Sequence, residues 1–211
     1  MSLDADGVTK LFTRSDGGYL FARWGRPIAP VVFGVDDATI SVLKGAIEAV
    51  VALANHKMAE TDPELGANLM IFFLSDWKEL AETPNLDRIL ADLETLLPRL
   101  EAAGANQYRS FRFDEQGAIK AAFVFIRMDE NMASLPAETI ALSQIVQTIV
   151  LWSDTAFREA GPLARLTEGG PALLRPELAQ VIRAAYDPVM PVAAQDASHG
   201  LRLAARMGDV Q

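Results

Sequence analysis

The 211-residue sequence contains no cysteine and only two histidines, His56 and His199. The lack of cysteine excludes disulfides, iron–sulfur clusters, thiolate zinc sites and cysteine nucleophiles. Two histidines are too few for most metal sites and for many acid–base sites. We interpret His56 as the end of an amphipathic helix, where a partly charged imidazole suits the helix dipole, and His199 as part of a solvated helix face.

Basic residues are also scarce, because 19 Lys and Arg against 28 Asp and Glu give a net charge of -9. Phosphate binding needs a concentrated basic surface, so this balance argues against nucleic acid and anionic lipid as partners. No apolar run reaches the roughly 18 residues that span a bilayer. Residues 1–7 lack the basic start and apolar stretch of a signal peptide. We therefore expect no membrane insertion.

The chain also lacks a Gly-x-Ser-x-Gly elbow, a phosphate loop and a dinucleotide fingerprint. What it does have is a composition typical of a globular domain, with 50% apolar and 22% charged residues. We expect an irregular N-terminal segment at residues 1–18, followed by a single domain at residues 19–208.

Hydrophobic periodicity predicts an order of strand, helix, strand, helices, hairpin and then helices. Predicted strands cover residues 27–33, 68–74, 108–113 and 118–128, the last two joined by a turn at 114–117. Pro30 favours a sheet edge for the first strand. Predicted helices are one of about 18 residues starting at Asp36-Asp37, a short one at 77–80, and others at 85–100, 137–150, 176–186 and 193–206. Pro98 should kink or split the helix at 85–100. This order indicates an α+β fold with a helical C-terminal part.

The most informative stretch is residues 143–154, Ser-Gln-Ile-Val-Gln-Thr-Ile-Val-Leu-Trp-Ser-Asp. Metzincin zinc peptidases carry the pattern His-Glu-x-x-His-x-x-Gly-x-x-His followed by Asp. There two imidazoles one helical turn apart reach one metal, and the glutamate is the general base. On this pattern Ser143, Gln144, Gln147 and Ser153 take the positions of the first histidine, the base and the other two histidines. Val150 replaces the glycine and only Asp154 persists, so the sequence holds no intact zinc site.

Further segments follow in a shared order: residues 23–28, residues 67–69, residues 147–154, and residues 166–167 followed after a gap by residues 183–188. With them the chain resembles, over roughly residues 19–191, an uncharacterised and mostly exported bacterial family related to zincin and metzincin metallopeptidases. It looks like a degenerate member without the zinc motif. The resemblance implies a zincin-like fold with a mixed sheet of about four strands and packed helices. It also implies a periplasmic or exported protein after signal removal, with a cytoplasmic location as the alternative.

These observations lead us to expect a non-catalytic metallopeptidase-like domain that binds a protein or peptide in the inherited cleft, without cofactor or metal. The candidate lining residues are Gln144, Gln147, Trp152, Asp154 and Tyr186. One alternative is a structural or assembly module of the cell envelope that buries an apolar face around residues 136–150. Another is a hydrolase with a hard cation held by Asp154, Glu138 or Asp187. The sequence leaves the oligomeric state open.

Overall fold

A four-stranded mixed sheet with helices on both faces forms the centre of the computed structural model, which describes residues 3–83, 86, 90, 92–167 and 169–209. The α+β class and the four-stranded mixed sheet predicted from the sequence are confirmed. The strands are β1 Phe21–Ala22, β2 Pro30–Phe33, β3 Leu69–Leu74, β4 Gln107–Phe113, β5 Ile119–Arg127, β6 Leu163–Arg165, β7 Ala172–Leu174 and β8 Ala193–Ala194. The helices are α1 Ala5–Lys10, α2 Asp37–Leu53, α3 Glu79–Glu82, α4 Leu93–Ala102, α5 Glu130–Ala133, α6 Ala137–Val146, α7 Pro176–Ala185 and α8 Ser198–Asp209.

The central sheet has the strand order β2-β3-β5-β4. Strands β2, β3 and β5 are parallel, and β4 runs antiparallel to β5 at one edge. Strand β2 forms the other edge, as Pro30 predicts, since proline has no N–H for a ladder bond. The inner strands β3 and β5 are apolar because helices cover both of their faces.

Side chains alternate between two cores on opposite faces of this sheet. Ile71 of β3 and Val124 of β5 belong to the larger core, together with apolar residues of α2, α6, α7 and α8. Phe125 of β5 belongs to the smaller core, together with Trp77 and residues of α4. The larger core lies on the face that carries the candidate site.

The N-terminal segment differs from the prediction. Residues 1–18 were expected to be irregular, but Ala5–Lys10 form α1, which is capped by the Asp4 side chain and packs against α8. Val8 and Phe12 are fully buried in the larger core. Helix α1 and Phe12 are therefore part of the domain, because their apolar side chains join the larger core.

The C-terminal part is less helical than predicted. Helix α6 ends at Val146, and Val150 instead forms an isolated antiparallel β-bridge with Arg23. The antiparallel pair β6 and β7 interrupts the expected run of helices, and residues 193–194 pair with β1. Parts of the helix predicted at 85–100 lie outside the described residues, and Pro98 lies inside α4 without ending it. None of the described helices has the length and apolar character needed to cross a membrane.

Both histidines are in different environments from those expected. His56 lies beyond the cap of α2, and its Nε2 donates to the carbonyl oxygen of Arg26 at 2.9 Å, while burial lowers its pKa. His199 is completely buried, with Nδ1 2.7 Å from the hydroxyl oxygen of Tyr19. Burial, reinforced by the charge of Arg202, lowers the pKa of His199 to about 4. Both rings are therefore neutral at pH 7. The helix-dipole role predicted for His56 and the solvated position predicted for His199 are both wrong.

Candidate functional site

The chain that leaves α6 is held in place by three hydrogen bonds to main-chain carbonyl oxygens. The indole N–H of Trp152 donates to Val146 at 2.8 Å, and that of Trp24 donates to Thr148 at 3.0 Å. The hydroxyl of Tyr186 donates to Ile149 at 2.7 Å. Carbonyls at the end of a helix lack partners within the helix, so these side chains stabilise its exit. The segment 147–154 is thereby fixed opposite strand β4.

Strand β4 and this segment border a cleft of about 400 Å³. Gln147, Trp152 and Asp154, which are three of the five predicted binding residues, line it. The remaining lining residues are Arg14, Leu20, Tyr108, Arg109, Ser110, Phe111, Phe113, Leu151, Ser153 and Phe157. The structure therefore brings one edge of the sheet together with the segment that the zinc peptidase pattern singled out.

Along this cleft, the outer side of the β4 backbone is free: it pairs with no strand in the part of the chain that the structure describes. The N–H of Arg127 on β5 donates to the carbonyl of Asn106 at 2.9 Å, so the backbone groups of residue 106 point toward β5. Because such ladders alternate, residues 108, 110 and 112 direct their N–H and C=O groups toward β5. Residues 107, 109 and 111 direct theirs away from it. The Phe111 carbonyl accepts a bond from the Arg112 side chain at 3.2 Å.

Beneath the cleft, Gln144 of α6 is hydrogen-bonded to two side chains of β4, those of Gln107 and Arg109. Nη2 of Arg109 lies 2.5 Å from Oε1 of Gln144 and 2.8 Å from Oε1 of Gln107. The amide N–H of Gln144 donates to the same Gln107 oxygen at 3.0 Å. Nε of Arg109 is buried and has no hydrogen-bond partner in the described part of the chain. Burial lowers the pKa of Arg109 to about 10, so it remains charged at pH 7.

The other zinc-pattern positions form short-range hydrogen bonds. Nε2 of Gln147 donates to the Ser143 hydroxyl at 3.0 Å and to the Ser143 carbonyl at 3.2 Å. The hydroxyls of Ser153 and Thr155 are 2.9 Å apart. Among the residues that the structure describes, no group of three or more His, Cys, Asp or Glu side chains could hold a metal ion.

The three carboxylates considered as ligands of a hard cation do not form such a group. Asp154 accepts a bond from the Ser15 N–H at 2.9 Å and pairs with Arg158 at 2.8 Å. The bond from Ser15 lowers the pKa of Asp154. Asp187 lies 3.5 Å from Arg206, and Glu138 is exposed in the first turn of α6.

Tyr186 is placed outside the cleft lining. Its hydroxyl also accepts a hydrogen bond from the main-chain N–H of Trp24 at 3.3 Å. The Arg23 guanidinium lies 5.3 Å from the centre of the Tyr186 ring. Burial raises the pKa of Tyr186. This residue positions the chain after α6, which makes its role structural. Met190, a few residues further along the chain, is likewise buried in the larger core.

Sequence reasoning missed the cleft residues that precede α6, above all Arg109. A signal was present: the alternation of the predicted strand at 108–113 puts Arg109 on the same face as Phe111 and Phe113. A charged residue on an apolar strand face is unusual and indicates a partner or a ligand. Arg14 lies far away in sequence, and no local pattern connects it to this site.

A second cavity of about 640 Å³ lies at the opposite sheet edge, between β2 and α2, with a mainly apolar lining that includes Val32, Ile40 and Met58. The face around residues 136–150, suggested above for assembly, is not available for it. Its apolar side chains are already buried inside the chain, among them Ile140 and Ile145.

The fold and cleft define an α+β domain whose mixed sheet ends in an antiparallel edge strand beside a binding-sized groove. Comparisons with protein-family models, with curated proteins and with solved structures found no match to this chain.

Proposed function

We propose that this chain is a non-catalytic, zincin-like domain that binds an extended segment of a protein or peptide along β4. The observation that carries the proposal is the free side of that strand. Residues 107, 109 and 111 direct backbone groups away from β5, and the cleft lies beside them. A segment that adds a strand to a sheet edge gains main-chain hydrogen bonds, and neighbouring pockets select its side chains.

The opposite wall of the cleft supports the relation to peptidases. The degenerate zinc pattern lies on α6 and in the segment after it, and Gln147, Trp152 and Asp154 of that segment line the cleft. Peptidase clefts bind extended chains along a sheet edge. Binding along the edge uses the strand and the pocket walls, so it can persist after the ligands of the metal are lost.

The side chains at the pattern positions support a role without catalysis. Ser143 and Gln147 bond to each other, and Gln144 bonds to Arg109 and Gln107. Among the residues that the structure describes, none of these amides or hydroxyls has a base beside it that would activate water or a nucleophile. Metal content of the purified protein, measured by plasma mass spectrometry before and after incubation with zinc, tests this part. We expect substoichiometric metal, and a tightly held equivalent would contradict the proposal.

Selection from a displayed library of random heptapeptides tests the binding itself. Peptides recovered on the wild-type protein are synthesised with blocked ends, and their affinity is measured by fluorescence anisotropy. Bound peptide should perturb the backbone resonances of β4 and of residues 147–154. Selection of no peptide, or of peptides that perturb only the cavity between β2 and α2, would contradict the proposal.

A further inference from the structure

Arg109 is a half-buried cation without a carboxylate partner in the described part of the chain. Its Nη2 bonds only to the neutral amide oxygens of Gln107 and Gln144, and its buried Nε bonds to nothing there. A charge removed from water is costly unless it is paired, and arginine has five N–H donors arranged to match a carboxylate. The residue lines the cleft, so a ligand in the cleft lies beside this cation.

The ladder geometry shows which part of a bound segment meets this guanidinium. The side chain of Arg109 lies on the α6 face of β4, whereas its backbone groups point along the sheet toward the added strand. Residues directly opposite each other on neighbouring strands place their side chains on the same face, a few ångströms apart. The ligand residue opposite Arg109 therefore directs its side chain toward the guanidinium. A terminal carboxylate would instead lie in the plane of the sheet, at the level of the backbone.

The charges around the cleft favour an anionic side chain. Arg14, also in the lining, is exposed and forms no ion pair with the described residues. Asp154 carries the only carboxylate among the described lining residues, and it is already bonded to Ser15 and Arg158. The cleft is thus locally positive on a protein whose net charge is -9.

We infer that the cleft selects an extended segment with a glutamate or aspartate opposite Arg109, and that Arg109 binds this carboxylate. The inference rests on the proposed binding along β4 and names its specificity. The neighbouring walls, Phe111, Trp152 and Phe157, are aromatic. Aromatic walls lower the local dielectric of the cleft, which strengthens the attraction of a cation in the lining for a carboxylate.

The library selection described above tests this specificity when it is repeated on three variants. Arg109→Gln removes the cation, and Gln144→Glu keeps Arg109 but supplies an internal carboxylate to it. Arg165→Gln, an exposed arginine on β6, is the matched control. We expect one acidic position to be enriched on the wild-type protein and on Arg165→Gln, and to lose its enrichment on the other two.

Affinities then measure the effect on single peptides. For a selected peptide, replacement of its acidic residue by the corresponding amide should weaken binding to the wild-type protein by about tenfold or more. The same replacement should have little effect on binding to Arg109→Gln or Gln144→Glu. Amidation of a free terminal carboxylate should change neither result. A large loss of affinity on amidation would identify the terminus as the recognised group and overturn the inference.

The outcomes separate the two proposals. The inference would be overturned by peptides that bind along β4 without an acidic preference, or with the same preference on Arg109→Gln and Gln144→Glu. Such peptides would still agree with the proposed strand addition. A library that yields no peptide bound at β4 would contradict both.

Discussion

Nη2 of Arg109 lies 2.5 Å from the side-chain oxygen of Gln144, the residue at the position of the general base in the zinc peptidase pattern. Gln144 is almost fully buried, so this contact is shielded from water. An amide oxygen accepts the bond but leaves the guanidinium charge uncompensated. An amide at the position where the pattern has a carboxylate therefore leaves a cation without a counter-charge beside the cleft.

Gln144→Glu should stabilise the protein. The new carboxylate would neutralise a guanidinium that is already desolvated, and the Gln107 amide can turn to donate to it. A charged hydrogen bond of this kind contributes about 1–3 kcal/mol to the free energy of unfolding. Denaturant unfolding at pH 7 measures the change. Gln147→Glu is the control, since among the described residues the Gln147 side chain bonds to Ser143 and not to a cation. A lower stability of Gln144→Glu than of the wild type would show that Arg109 does not need a partner.

Trp152 should stabilise the wall of the cleft through both its ring and its N–H. The ring is stacked on Phe12 at 5.3 Å between centres, and the N–H bonds the carbonyl of Val146. Trp152→Phe keeps an aromatic ring but leaves that buried carbonyl without its donor, which should cost about 1–3 kcal/mol. Trp152→Ala also opens a cavity, at a cost of about 3–5 kcal/mol. Equal losses for the two variants in denaturant unfolding would show that the hydrogen bond and not the ring dominates.

Gly34, directly after β2, should not tolerate a side chain. Its φ is +85°, and a Cβ there would lie 2.3 Å from the backbone oxygen of Phe73. Gly34→Ala should therefore lower the free energy of unfolding by at least about 2 kcal/mol. Gly45→Ala is the matched control: it lies within α2 with open space around it and should raise stability by about 0.5–1 kcal/mol. Thermal unfolding of both variants checks the opposite signs.

The buried His199 should make stability depend on pH between about 4 and 6.5. Its pKa falls from 6.5 to about 4 in the folded protein. Within this window the unfolded chain binds a proton that the folded chain does not, so the free energy of unfolding rises with pH and levels off above 6.5. A shift of this size corresponds to about 3 kcal/mol. Unfolding of the wild type and of His199→Gln at several pH values should show a shallower slope for the variant. Parallel slopes would contradict the assignment.

The parts of the fold that sequence patterns predicted are those decided by local physics. Asp36 caps α2 through the Thr39 N–H, and the apolar run at 69–74 is a buried strand. The errors occurred where tertiary contacts override local pattern. Helix α6 ends early because Trp152, Trp24 and Tyr186 bond the carbonyls at its exit, and two of these residues are distant in sequence.

Sequence patterns predicted only one wall of the candidate site, the one formed by the segment after α6. The zinc pattern located Gln147, Trp152 and Asp154, since it defines a helix and the segment after it. The opposite wall depends on which strand forms the sheet edge and on the phase of its ladder. Neither follows from local periodicity, so Arg109 was not recognised.

Amide hydrogen exchange of β4, followed residue by residue by NMR with and without a selected peptide, tests strand addition most directly. In the free protein, the amides of Arg109 and Phe111 point away from β5 and should exchange faster than those of Ser110 and Arg112. Saturating peptide should protect Arg109 and Phe111 and leave the already bonded pair unchanged. Tight binding without new protection at these two amides would contradict the account.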